Sequence, residues 1–467
     1  MATSGPGDAP GSNTSASSTD PVKDARQGPS SVRADDAPHD PFAAVRVANY
    51  RLFASGFVFS STGLQMLATA LGWEMYDRTS DPFVLGLVGL CRALPVVLMA
   101  LPAGYVIDSF ERRRVLVMTQ VGFALAAGLL ALVSRERVPL WIMFVLITLM
   151  GCVRSFNGPV RSSLLPDLVP EGTFANAVTW NSFMFQISAI GGPLLAGWII
   201  HAAGAAWPVY LCTSGGCTVF ALSSIWLRPL RAHAVSAGGS RGAPRRLSLR
   251  GMVAGMSHVW RERTILAAIA LDLFAVLLGG ATALLPVYAD DILHVGPVGL
   301  GWLKAAPFIG AAVMGVVLAY VPLRRRAGIK TLVCVAGFGA CTIVFGLSTS
   351  FVLSMGALIV LGALDAVSVV VRHVLVQIRT PRELRGRVSA VNSVFIECSN
   401  ELGGFESGAV ARLATSVGGV TTAVGSVISV VSGGIGTIIV VIGVALLLPE
   451  MRKLDRLEHD SGEPRRT

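Results

Sequence analysis

Residues Leu101–Leu116 read LPAGYVIDSFERRRVL. An apolar run ends at Asp108, followed by Glu111 and the three arginines Arg112–Arg114, and the chain turns apolar again at Val115. Two long apolar segments joined by so short and so charged a turn suit a chain that leaves a lipid bilayer and re-enters it. The arginines would rest at an anionic leaflet.

The composition agrees with that reading. The chain has 467 residues, 53% hydrophobic and 14% charged, whereas a soluble domain carries roughly 25% charged residues. Lipid must therefore solvate most of it, and a soluble multidomain enzyme is excluded. Lys and Arg outnumber Asp and Glu, 38 to 28, but they cluster between apolar runs, so no nucleic-acid partner is expected. The seven cysteines lie in or beside apolar segments without a CxxC pair. They read as small buried hydrophobes, not as a metal site or disulfide frame.

Residues 1–40 are rich in Gly, Ser, Pro, Ala and Asp and are expected to form a disordered cytoplasmic tail. Apolar segments near the ~20 residues that cross a bilayer follow. The first half (41–227) holds Val47–Leu71, Phe83–Ile107, Val115–Val133, Leu140–Val160, Phe174–Ile200 and Ala206–Leu227. The second (264–448) holds Ile265–Tyr288, Leu300–Pro322, Thr331–Leu347, Val352–Val376, Val388–Thr415 and Ala423–Leu448. The expected fold is thus an all-α membrane protein of about twelve transmembrane helices in two six-helix lobes. A basic linker, 228–263, joins the lobes, and its piece Leu247–Trp260 is either a surface-lying amphipathic helix or a solvated one. Residues 449–467 form a C-terminal tail.

Arginine-bearing loops alternate with short, nearly neutral ones such as Asp77–Asp81, which places both termini and the linker in the cytoplasm. AVTWNSFMFQ (Ala177–Gln186) and AVNSVFIE (Ala390–Glu397) occupy equivalent places in the two halves. Both contain Asn-Ser-x-x-x-Gln/Glu, as an internal repeat would.

The turn between the second and third segments carries a resemblance to the major facilitator superfamily, whose pattern there is Gly-x-x-x-Asp-Arg-x-Gly-Arg-Arg. Gly104, Asp108, Arg112 and Arg113 match it, while Ser109 and Glu111 depart from it. The resemblance implies the major facilitator fold, with this turn as a latch between lobes. Asp108 would meet the N-terminus of the eleventh helix, where Thr380-Pro381-Arg382-Glu383 forms a capping box. The alternative is that Arg112–Arg114 only set topology. RSFNGP (Arg154–Pro159) resembles the family's Arg-x-x-Gln-Gly element, which implies a proton-transfer role for Arg154. GPLLAG resembles part of the antiporters' Gly-Pro element through Gly192, Pro193 and Gly197. Longer similarity to the enterobactin-exporter-like and macrolide-efflux branch lies in GWEMYDRTSDPFVLGLVGLCRALPVVLMALPAG, LLPDLVPEGTFANAV and TPRELRGRVSAVNSVF.

Ionisable residues within apolar segments are costly unless paired or hydrated, and so mark a pathway. The first half offers Arg92 and Arg154; the second offers Asp272, Asp365, Glu397, Glu401 and Glu406, with Arg372 and His373 towards a helix end. Glu397 and Glu401, four apart, share a helix face, and two adjacent carboxylates in low dielectric do not both ionise readily. Arg154, Asp272, Glu397 and Glu401 are therefore the proton-coupling candidates. Arg92, Gln65, Trp180, Asn181, Gln186, Asp365 and Asn392 are the candidates for lining a substrate cavity, although Asp365 could instead pair with Arg372, seven residues on. Helix–helix hydrogen bonds are the plainer role for the uncharged ones.

No nucleotide-binding loop, metal-ligand cluster or nucleophile motif is present in the sequence. The expectation is a monomeric secondary transporter of the bacterial inner membrane, not an enzyme, with no cofactor and driven by the proton gradient. It would export a drug-like compound or a siderophore by antiport. Proton-coupled uptake, a membrane-embedded enzyme and a receptor are the alternatives.

Overall fold

The computed structural model describes residues 40–228, 256–257, 259–321, 326–381 and 384–453. The N-terminal tail, most of the basic linker including Leu247–Gly255, and the chain beyond residue 453 lie outside the described residues. After the one-turn helix Ala43–Arg46, the first lobe contains α1 (Ala48–Thr79), α2 (Pro82–Ser109), α3 (Arg112–Arg135), α4 (Leu140–Leu168), α5 (Phe174–Ala203) and α6 (Trp207–Ile225). The second contains α7 (Arg263–Leu278), α8 (Gly296–Tyr320), α9 (Ala327–Leu347), α10 (Phe351–Arg379), α11 (Arg385–Gly418) and α12 (Thr422–Leu447).

Ten helical stretches are long and apolar enough to cross a membrane. Neither α1 nor α11 is among them, although they have 32 and 34 residues. Their polar residues explain this: α1 carries Ser60, Ser61, Gln65, Thr69 and Glu74, and α11 carries Asn392, Asn400, Glu401, Glu406 and Arg412. On α1 such residues are partnered within its own lobe, Ser60 by Gln120 and Glu74 by Tyr210, whereas α11 carries Glu401 and Arg412 to partners in the other lobe.

The seventh segment departs from the unbroken Ile265–Tyr288 span expected. α7 stops at Leu278, and the chain continues through a 3-10 turn, Ala281–Leu284, and a π-turn, Tyr288–Ile292. The break falls on Gly279 and Gly280, where a side chain on Gly280 would lie 2.3 Å from the Gly403 carbonyl oxygen of α11. Glycine permits that approach and weakens the helix that makes it. The eleventh helix also starts differently. Thr380 caps the C-terminal end of α10 and α11 begins at Arg385, so Thr380 does not cap α11; Arg382 and Glu383 lie outside the described residues.

The lobes share one packing scheme. α1 packs on α5 and α6, α2 on α4, and α3 on α4 and α6; likewise α7 packs on α11 and α12, α8 on α10, and α9 on α10 and α12. α5 and its counterpart α11 both end on a left-handed glycine, Gly204 and Gly419, each with φ of 64°. Between lobes, α2 packs against α11 and α5 against α8. Small residues allow it: side chains at Gly408, Gly197 and Gly301 would lie 2.6, 2.4 and 2.6 Å from the carbonyl oxygens of Pro82, Pro297 and Pro193. On α8 the buried residues all lie within Gly299–Gly310, whereas Val316 is 60% and Tyr320 84% exposed. The α8–α5 contact therefore belongs to the half of α8 nearest the short loops.

Candidate functional site

Charged side chains from both lobes converge where α2, α4, α8 and α11 meet. Arg92 of α2 and Arg154 of α4 direct Nη1 to the same carboxylate oxygen, Glu401 Oε1 of α11, at 3.6 and 3.5 Å. Glycines set this geometry. A side chain at Gly89 would lie 3.1 Å from the Glu401 carbonyl oxygen, and one at Gly151 would lie 3.0 Å from that of Arg92. Glu401 is 15% exposed at its side chain and the arginines 28% and 35%, so the cluster is shielded but reachable by water. The first lobe thus supplies cations, and the second a carboxylate, to one contact.

Lys304 of α8 adds a third cation. Its Nζ donates to the Ala68 carbonyl oxygen of α1 at 3.0 Å, again across the lobes, within electrostatic reach of Arg92 and Glu401. Lys304 was not among the residues expected from the sequence. The signal was there: in GWLKAAPF it is the one charged residue of a long apolar helix.

The other expected residues divide. Gln186 of α5 donates Nε2 to the Phe308 carbonyl oxygen of α8 at 2.5 Å, also across the lobes. Gln65 lies at the α1–α5 contact, its Cβ 2.6 Å from where a Gly192 side chain would begin. Trp180 sits in a ring cluster with Phe42 and Phe183, at 5.6 and 5.7 Å. Asn181 and Asn392 each bury an amide oxygen without a hydrogen-bond partner among the described residues. The side chains of Glu397 and Asp108 lie outside the described ones. Gly192, Pro193 and Gly197 lie where α5 touches α1 and α8, as close-approach positions.

Asp272 does not join the central cluster. Its carboxylate meets the guanidinium of Arg372, and the two are 6% and 3% exposed. This corrects the pairing of Arg372 with Asp365. Those two share a face of α10, but α7 brings Asp272 closer. Asp365 instead lines a small cavity with Asp272 inside the second lobe, not the lobe interface.

At the arginine-rich turn, the described contacts stay within the first lobe. Arg112 Nη1 donates to Asp167 Oδ2 at 3.0 Å and to the Ser163 carbonyl oxygen at 2.9 Å. Arg113 donates to the Leu227 carbonyl oxygen at 2.8 Å, and Arg114 pairs with Glu111 at 2.7 Å. Asp167, within LLPDLVPEG, was not singled out from the sequence. Asn157 of RSFNGP accepts from Gln120 Nε2 at 3.0 Å, and Gln120 Oε1 accepts from Ser60 at 2.7 Å, tying α4, α3 and α1 together inside that lobe.

Contacts across the lobes gather at the opposite end. In GWEMYDRTSDPF, Tyr76 donates to Asp291, Asp81 pairs with Arg412, and Phe83 lies 5.7 Å from Phe405. Glu74, 5% exposed, accepts from Tyr210 at 2.6 Å and pairs with Arg78 at 2.5 Å. Arg78 in turn donates to the Ser134 carbonyl oxygen at 2.9 Å, fixing the end of α1 on which Tyr76 stands.

Comparison with known proteins accords with this geometry. The family model described as Major Facilitator Superfamily matches residues 53–404. The multidrug efflux pump Tap of Mycobacterium tuberculosis is 24% identical over 417 residues, covering 86% of this chain and 94% of Tap. The enterobactin exporter EntS of Citrobacter koseri is 23% identical, covering 89% and 93%. The staphyloferrin A transporter of Staphylococcus aureus is 28% identical over 151 residues, which is 31% of this chain and 38% of that protein. In fold, the chain is similar to a bacterial homologue of the human lysosomal transporter Spinster, with a TM-score of 0.62 at 12% identity, covering 89% of this chain and 97% of that one. The family and fold are those of multi-pass bacterial membrane transporters of small molecules, not of enzymes. With its two matching lobes and its charges meeting between them, this chain belongs to the major facilitator superfamily.

Proposed function

We propose that the chain exports a small molecule with anionic character, a siderophore or a drug-like compound, across the bacterial inner membrane by alternating access in exchange for protons. The observation that carries this is the shared hold of Arg92 and Arg154 on Glu401 across the lobe interface. Exchange needs substrate and proton to exclude one another at Glu401. An anionic substrate draws Arg92 and Arg154 away while its hydroxyl groups donate to the freed carboxylate. A proton on Glu401 removes that acceptor and displaces the substrate. Lys304 strengthens the attraction for an anion. The named activities of EntS and Tap support the outward direction.

In this reading the arginine-rich loops and both termini face the cytoplasm. The protein works as a monomer, with no nucleic-acid partner and no cofactor beyond the proton gradient. The lobes rock about the central cluster, and Asp108 and Arg112–Arg113 take their latching part in the state opposite to the one described here. Glu397, four residues from Glu401, belongs to the same coupling group.

The test is uptake of enterobactin into inverted membrane vesicles from cells making the protein, under an imposed proton gradient. Uptake that collapses with the gradient, and is lost in Glu401→Gln, is the expected result. Uptake indifferent to the gradient would sink proton exchange, and gradient-driven loss from the vesicles would reverse the direction.

A further inference from the structure

The second lobe contains a charge cluster that the central site does not use. α7, α9 and α10 enclose a cavity of about 10 Å³ lined by Asp272, Asp365 and Ser368, with Val335 and Phe338 among its apolar walls. That is room for about one water-sized body. Asp272 reaches Arg372, which is 3% exposed and buries its Nε without a hydrogen-bond partner among the described residues. Asp365 lies deep in the protein on the cavity wall, and no hydrogen bond or ion pair involves it among the described residues. Asp365, Ser368 and Arg372 follow at spacings of three and four along α10 and so share one face.

Two carboxylates and one guanidinium leave one negative charge uncompensated in a low-dielectric interior, which costs several kcal/mol unless a positive charge neutralises it. Among the described side chains of the surrounding helices, the other charged groups are engaged or distant. Lys304 of α8 bonds to Ala68 in the other lobe, and Arg263 of α7 pairs with Glu450. Lys330 of α9 and Arg379 of α10 stand at helix ends, His373 bonds to the Val369 carbonyl oxygen, and α12 carries no charged residue. On α11, Glu401 is held by Arg92 and Arg154, Glu406 accepts from Ser407, and Arg412 pairs with Asp81. The oxygen donors suit a hard cation, and the single surplus charge sets it as monovalent.

We infer that Asp365, with Asp272 and Ser368, forms a site for one monovalent cation inside the second lobe: a proton on Asp365, or a sodium-sized ion shared among the three oxygens. With the site filled, Arg372 stays on Asp272. With it empty, Asp365 competes for Arg372 and pulls α7 and α10 against each other. The inference depends on neither the substrate nor the direction of transport.

Thermal unfolding of the purified full-length protein tests it without any transport assay. The melting temperature is followed against sodium, with choline holding ionic strength constant, and separately against pH across neutrality. A melting temperature that rises with the logarithm of the cation concentration is expected. A sodium response at fixed pH identifies the ion, and a response to acidification alone identifies the proton. Asp365→Asn removes the surplus charge, so it should melt at or above the cation-loaded wild type and lose the response. A wild type that responds to neither cation, or an Asp365→Asn protein that responds as the wild type does, would overturn the site. Ser368→Ala leaves all three charges in place and checks the inference without them: it should raise the sodium midpoint several-fold. An unchanged midpoint in a sodium-responsive protein would overturn the shared-oxygen site.

Discussion

The two ends of the molecule carry short charged turns and use them differently. DSFERRR, at the turn between α2 and α3, and YDRTSD, at the turn between α1 and α2, are both short charged links between long helices. In the first, Arg112, Arg113 and Arg114 bind Asp167, the Leu227 carbonyl oxygen and Glu111, all within one lobe. In the second, Tyr76 and Asp81 reach Asp291 and Arg412 of the other lobe. One charged turn braces a lobe; the other joins two. The difference lies in the neighbouring surfaces: close-packed glycines bring α5 to α8 and α2 to α11 near the short loops, so a side chain there has another lobe within reach.

Substitutions can break or sharpen this contrast. The largest effect is expected from Gly197→Leu, whose Cβ would lie 2.4 Å from the Pro297 carbonyl oxygen. Overpacking of that kind costs about 3 kcal/mol, so spin labels flanking the short loops should move apart while labels within one lobe stay in place. Arg112→Ala is next. Loss of its bonds to Asp167, a buried carboxylate, should cost about 2 kcal/mol of stability. Its melting temperature should fall with lobe-to-lobe distances unchanged; altered distances would show that the turn does more than brace its lobe.

Arg412→Ala should do less, because the arginine is 54% exposed at its side chain. About 1 kcal/mol or under is expected for such a pair. That loss should appear as a shift in the balance between lobe arrangements, and a double-mutant cycle with Asp81→Asn should show that the two residues act together. Asp108→Asn should be the mildest for stability: an unchanged melting temperature with slowed transport. Transport at the wild-type rate would leave this turn a topology signal alone.

Much of the fold was legible in the sequence because hydropathy is local. The runs of about twenty apolar residues lie where the helices lie, although α1 extends to Thr79 and α7 breaks at Gly279–Gly280. Gly279 and Gly280 are local, but the Gly403 backbone that lies against Gly280 belongs to another helix. Of the central site, Arg92, Arg154 and Glu401 stand out as charges in apolar surroundings, and Lys304 carries the same signal. Asp167 was less visible, because a carboxylate at a helix end looks solvated until Arg112 is seen to reach it.

The sequence by itself determined that this chain lives in lipid, in two related halves, with charged residues at membrane depth. Each of those facts belongs to a contiguous segment and to its cost in hydrocarbon. Only the tertiary structure decided which charges meet. Arg154 and Glu401 are 247 residues apart, and Arg372 takes Asp272 from another helix instead of Asp365 on its own. An ion pair needs its charged atoms within about 4 Å of each other, so partners are set by how helices pack and not by their order along the chain.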